Sequence, residues 1–182
     1  MLLNKLKEVP KDKFLIIMAF ICLLIVIIIE FLVFIPIETS TYGILDFEFA
    51  WTKNRVETIF TTWGDKGMNN QAIAIYWDFL FIVGYAPLAF CLIVLILRRS
   101  GEKVQEIGLY MSITTILTGI FDVIENINLL LMLDAPASLD SSNTFAASLF
   151  ATLKFSLLFA GIIYFVIALI LFLISKFKER NK

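Results

Sequence analysis

Thr115, Thr118, Asp122 and Glu125 recur at spacings of 3, 4 and 3 inside a long apolar stretch, so a helix brings them to one face, with Asn126 beside it. Carboxylates in such a stretch are costly in hydrocarbon and mark a functional position by default. Other apolar stretches carry Glu30, Asp78 and Lys154, and Tyr85 stands one heptad beyond Asp78. Paired carboxylates can act as general acid and base, hold a hard cation such as Ca²⁺ or Mg²⁺ through oxygen, relay protons, or receive an ammonium headgroup. The sequence contains no histidine. Ordinary zinc and haem sites, Ser-His-Asp triads and histidine proton relays are thereby removed. No metal ligands, catalytic residues or cofactor are assigned.

These residues need elements to hold them. The chain has 182 residues, is 60% hydrophobic and has a mean hydropathy of +0.90. Four apolar runs, at 14–35, 73–97, 108–133 and 145–174, each meet the length of about 20 residues that spans a bilayer. Any other backbone path through lipid leaves peptide groups unpaired, so the runs are read as helices. The expected fold is all-α: an integral membrane four-helix bundle forming a single domain over 1–182. Cys22 and Cys91 lie inside spans and are read as packing residues. The net charge of −1 favours no nucleic-acid partner.

A basic start followed by an apolar run is also the pattern of a signal peptide, but this run is too long and no A-x-A site follows, so it is read as an uncleaved first span. Lys5, Lys7, Lys11, Lys13, Arg98, Arg99, Lys103, Lys176, Lys178, Arg180 and Lys182 fall on one side of the spans, against Lys53, Arg55 and Lys66 on the other. The positive-inside rule then places both termini in the cytoplasm of a cell-membrane protein. Trp51, Trp63 and Trp77 fall at the opposite surface, as anchors of an aromatic belt.

The loop at 36–72 is patterned. Residues 45–51 alternate apolar and polar, which suits an extended segment or a short helix. Thr52 can cap a following helix that Gly64 ends. Val56, Ile59, Phe60 and Trp63 form its apolar face, which would lie on the membrane surface or over the mouth of the bundle. Pro87 is expected to kink the second span.

Counting helix rise from the nearest cytoplasmic charge gives the depth of each ionisable group. Glu30, Asp78, Asp122 and Glu125 come out roughly 24 to 30 Å up, and Lys154 roughly 33 Å. All five therefore share one layer in the outer third of the membrane. Ala147, Ala151 and Gly161 share the face of Lys154, and small residues let helices approach, so Lys154 is expected to point inward. One polar chamber follows, open outward, which Asp46, Glu48, Lys53 and Arg55 could reach from above. Four carboxylates then meet one lysine. Some must be protonated, or a cation must bind, or Lys53 and Arg55 must descend.

Three stretches resemble an uncharacterised group of small bacterial four-span membrane proteins. They are Leu45-Asp46-Phe47 with the short helix ending at Trp63-Gly64, Asp78-Phe-Leu-Phe-x-x-x-Tyr85, and Asp122-x-x-Glu125-Asn126. The group often has a basic residue before its second span, where this chain has Met68-Asn69-Asn70-Gln71. The group has no assigned activity, so the resemblance implies the fold and the choice of polar positions alone.

The expected function is binding or transport of a cation, a proton-coupled solute or a lipid headgroup. Asp122 and Glu125 would be the principal ligands, Asp78 and Glu30 auxiliary, and Lys154 the counter-ion, with Asn126 and Tyr85 completing the set. A buried Asp122–Lys154 pair that only fixes helix register, with Asn126 as interhelical glue and Tyr85 as packing, is the structural alternative. An intramembrane enzyme acting on a lipid or isoprenoid substrate is the second functional class. An accessory subunit of a membrane complex is the third. The partners expected are the bilayer, a hard cation or lipid headgroup, and a second copy or a membrane-complex protein.

Overall fold

The structure is a computed structural model that describes residues 3–37 and 41–180. Four helices are long and apolar enough to cross a membrane. The first, α1, runs from Asp12 to Ile29 and continues through a wider π turn, Glu30–Phe34. A short helix α2, Ile44–Glu48, precedes α3, Lys53–Leu97. The chain then forms α4, Glu102–Asp134, and α5, Ser141–Arg180, joined by a 3-10 turn at Pro136–Ser138.

The runs named from hydropathy underestimate these helices. Polar residues Asp65–Gln71 continue α3 without a break, so the loop expected at 36–72 is shorter than the apolar pattern suggests. Hydropathy reports where lipid can lie, whereas helical hydrogen bonding continues through Lys and Gln as readily as through Leu. Within α3 only Gly64 leaves helical geometry, at φ 59° and ψ −178°. Pro87 lies inside the helix and keeps helical dihedrals. Gly64 therefore separates a short helix from the long one, and the Thr52 hydroxyl accepts from the Arg55 N–H at 3.4 Å at the start of that short helix.

Two apolar cores lie at opposite ends of the bundle. At the end of Arg98, Leu15, Cys91, Val94, Leu97, Leu109 and Ala168 pack together. At the other end Phe47, Val56, Ile59, Phe60, Leu129, Met132 and Ala147 pack together. The face formed by Val56, Ile59, Phe60 and Trp63 thus closes over the bundle. Trp63 is held there by its indole N–H, which donates to the Tyr42 carbonyl at 2.7 Å, and by Phe47 at 5.5 Å. It packs inside the cap, whereas Trp77 is exposed on the outside of α3. Residues 45–51 contain a helix, because Phe47 and Glu48, neighbours in sequence, are both buried and an extended strand would have turned one of them outward. Trp51 follows at φ 58°, tied by its N–H to the Ser148 hydroxyl at 2.9 Å. Such a backbone is uncommon for a bulky residue and persists where its surroundings fix it.

The packing is asymmetric. α4 packs along α3 and α5, while α1 packs along α3 and makes no comparable contact with α4 or α5. Leu15, Ala19, Cys22 and Ile29 are its buried residues, and most of its remaining surface is exposed. Gly84 allows the approach: a Cβ there would meet Val26 at 3.0 Å, Ile25 at 3.1 Å and the Cys22 carbonyl at 3.3 Å. Cys22 and Cys91 are free and buried. At the base of α1, Asp12 accepts from Arg98 at 2.6 Å and from Arg99 at 2.9 Å, and Arg98 also donates to the Leu6 carbonyl at 2.8 Å.

Candidate functional site

Between the two apolar cores lies a polar layer. The 3, 4, 3 spacing on α4 places Thr115, Thr118, Asp122 and Glu125 inside the bundle, and all are buried. Ala147 and Ala151 let α5 approach, and Lys154 follows them inward with its side chain 8% exposed. Its ammonium stands among three carboxylates: Asp122 at 2.7 Å, Glu125 at 2.8 Å and Glu48 at 3.6 Å. The Asp122 contact is an aligned hydrogen bond, and its other oxygen accepts from the Tyr85 hydroxyl at 2.7 Å. Neither Glu125 oxygen has an aligned hydrogen bond, and Glu48 Oε2 has no partner.

Asp78 belongs to a second arm of the layer. It accepts from the Asn126 amide at 2.6 Å. Among the described residues no cation lies within ion-pair distance of Asp78 or of Glu30. Both line a cavity of about 620 Å³ together with Glu48, Tyr85, Asp122, Asn126 and Lys154. The structure thus brings six of the seven candidate residues to one cavity. Glu125 lies behind it, fully buried against Lys154.

The cavity is also lined by residues beyond the seven candidates. Glu48 comes from α2, next to the buried Phe47. Gln71 comes from the polar start of the long part of α3. Phe34, Phe81 and Phe155 form aromatic walls. The signal for Glu48 was present as an acid between Phe47 and Phe49, though an alternating reading points it to solvent. Phe34 reaches the cavity through the π turn, which shifts the facing of the last turn of α1 in a way that a regular 3.6-residue period does not anticipate.

Lys53 and Arg55 do not descend. Lys53 pairs with Glu57 at 3.7 Å, and Arg55 pairs with Asp46 at 3.3 Å while lying over the Tyr42 ring. Asp46 is engaged at the start of α2, where it also accepts from the Gly43 N–H at 2.9 Å. Lys154 is therefore the sole basic residue lining the cavity among the described residues. No group of three or more carboxylate, cysteine or histidine side chains converges as a metal-binding set among them either. The centre of the carboxylate cluster, where a hard ion would stand, is occupied by an ammonium.

Burial pushes the Glu48 carboxyl above its ordinary value of 4.5, Lys154 draws it down, and Asp122 raises it again. An acid whose pKa is raised by folding contributes stability below its unfolded pKa and loses it as pH rises through the folded value. The melting temperature of the wild type, measured relative to Glu48→Gln, is therefore expected to fall as pH is raised above 4.5. A difference that is flat with pH, or that grows, would show that Lys154 fully compensates the charge.

These features define a helical bundle of membrane-span type with a lysine-centred carboxylate cluster and a partly acidic cavity beside it. No protein family, curated protein or solved structure matches the chain.

Proposed function

We propose that this is a multi-pass membrane protein, with both termini cytoplasmic and the cap of residues 41–64 on the outer side, whose cavity binds the ammonium end of a lipid-like molecule. One observation carries the reading. Lys154 is already surrounded by three carboxylates, which leaves Asp78 and Glu30 facing the cavity without a cationic partner among the described residues. A ligand cation supplies that charge. Phe34 and Phe81, whose rings meet at 5.1 Å, give an ammonium group aromatic surface as well.

The packing supports delivery from the bilayer. Glu30 and Phe34 of α1 and Lys154, Phe155 and Leu158 of α5 line the same cavity, yet the two helices do not pack along one another. The side between them faces lipid. In this reading Asp122 and Glu125 hold Lys154 in place and the cap closes the outer end, while Asp78 and Glu30 meet the ligand.

The test is thermal unfolding of protein in neutral detergent with tetramethylammonium, calcium or sodium chloride at matched ionic strength. Ligand at 100 times its Kd stabilises by about 2.7 kcal/mol. Tetramethylammonium is expected to stabilise the wild type and the Asp134→Asn control, and to leave Asp78→Asn/Glu30→Gln unmoved. A shift equal across the three salts, or retained in the double variant, would sink the ammonium reading. A shift with calcium alone would return the site to a hard cation.

A further inference from the structure

A second, smaller cavity of about 100 Å³ adjoins the first. The two share Tyr85, Thr118 and Leu158 in their walls. The smaller one runs away from the cap between α3 and α5, past Ala89, Leu92, Ile93, Gly161 and Phe165. By helix rise, the span from Leu158 to Phe165 is about 10 Å. Beyond the shared Tyr85 and Thr118, the side chains along it are apolar except Thr115, whose hydroxyl is turned to the Ser112 carbonyl of its own helix at 2.8 Å.

Gly161 is informative because helix packing does not require it. A Cβ there would meet nothing nearer than Ile93 at 3.6 Å, an ordinary contact. A glycine inside a long helix is unfavourable by about 1 kcal/mol against alanine. What Gly161 preserves is the space in the groove. Gly84, by contrast, is held by α1 at 3.0 Å.

We infer that the groove takes the first few methylenes of one hydrocarbon chain of the molecule whose ammonium end meets Asp78 and Glu30, so that the ligand is a single-chain cationic amphiphile. This rests on the ammonium reading above. The occupant follows from adjacency: a narrow, apolar groove beside a carboxylate-bearing cavity fits the start of a chain attached to a charged head. Lipid chains are as apolar as the groove, so it selects by width and shape, and hydrophobic transfer contributes little.

The experiment compares tetramethylammonium, hexadecyltrimethylammonium and didodecyldimethylammonium, each titrated at trace levels into protein in neutral detergent micelles. Apparent affinity is read from thermal shift and from bound mass in native mass spectrometry. Micelle partitioning is common to all variants, so ratios between variants report the groove. Gly161→Leu is expected to weaken the hexadecyl ligand about ten-fold, the scale on which a pocket rejects added bulk, and to leave tetramethylammonium unchanged. Gly161→Ala should retain both. If Gly161→Leu does not fold, Ala89→Leu fills the same groove from α3 and gives the same test. Equal affinity of the filled variants and wild type for the hexadecyl ligand overturns the groove assignment and leaves the ammonium reading standing. Tighter binding of the two-chain ligand than of the single-chain one overturns the single-chain assignment. No response of the wild type to any of the three overturns both readings.

Discussion

Replacing Lys154 by methionine is expected to destabilise the protein by about 3 to 5 kcal/mol, the cost of breaking a buried ion pair by removing one partner. Methionine keeps the volume and removes the only ammonium between Asp122, Glu125 and Glu48. Unlike a surface pair, this cluster is buried: Glu125 is fully so, and Asp122, Glu48 and Lys154 are nearly so. The measurement is thermal unfolding in detergent. The decisive comparison adds Asp122→Asn and Glu125→Gln to Lys154→Met. Neutral residues of matching shape remove two of the three orphaned carboxylates, the two nearest to Lys154, so most of the loss should return. Failure of the triple variant to recover would mean that Lys154 holds the helices by packing of its stem and not by charge.

The second large effect is expected at the cap. Phe47→Ala removes a ring that is 1% exposed and packed on Phe60 at 5.2 Å and Trp63 at 5.5 Å. Large-to-small changes of this kind cost about 3 to 5 kcal/mol. Because Phe47 precedes Glu48, the same change should free the Glu48 carboxyl from Lys154. Melting temperature and Trp63 fluorescence follow the first consequence. The second is read from the pH dependence of stability, which should come to match that of Glu48→Gln. Leu45→Ala, at a side chain 54% exposed on the same helix, should change little by either measure. A mild Phe47→Ala phenotype would indicate that α2 lies over the bundle without closing it.

Residues whose roles follow from a regular helix were legible in the sequence. The α4 stripe from Thr115 to Glu125 and the Ala147, Ala151, Lys154 face of α5 depend only on helical period, and both lie inward. Thr52 and Gly64 were legible because capping and left-handed geometry are local properties. Three things were not. The extent of α3 escaped because Asp65–Gln71 are polar, and hydropathy measures preference for lipid, not for helix. Phe34 depends on the π turn, which breaks the period that places side chains on faces. The separation of Glu125 from the cavity escaped because it depends on Lys154 lying between them, and depth along a helix says nothing about which of two neighbouring acids stands in front. Arg55 shows the same limit: charge balance suggested that it descends, while Asp46 nine residues earlier satisfies it locally.

The clamp at the base of α1 has a consequence for the order of biogenesis. Asp12 and the Arg98 that it binds are 86 residues apart. A ribosome adding about 5 to 20 residues per second makes the second partner roughly 4 to 17 s after the first. Gly84 and most of the α3 surface that α1 covers also emerge late in that interval. Until then α1 must wait without the helix that it packs along. Its nearly uninterrupted run of Ile, Leu and Phe suits that wait, since it presents lipid with no charge to shield from Lys13 to Glu30.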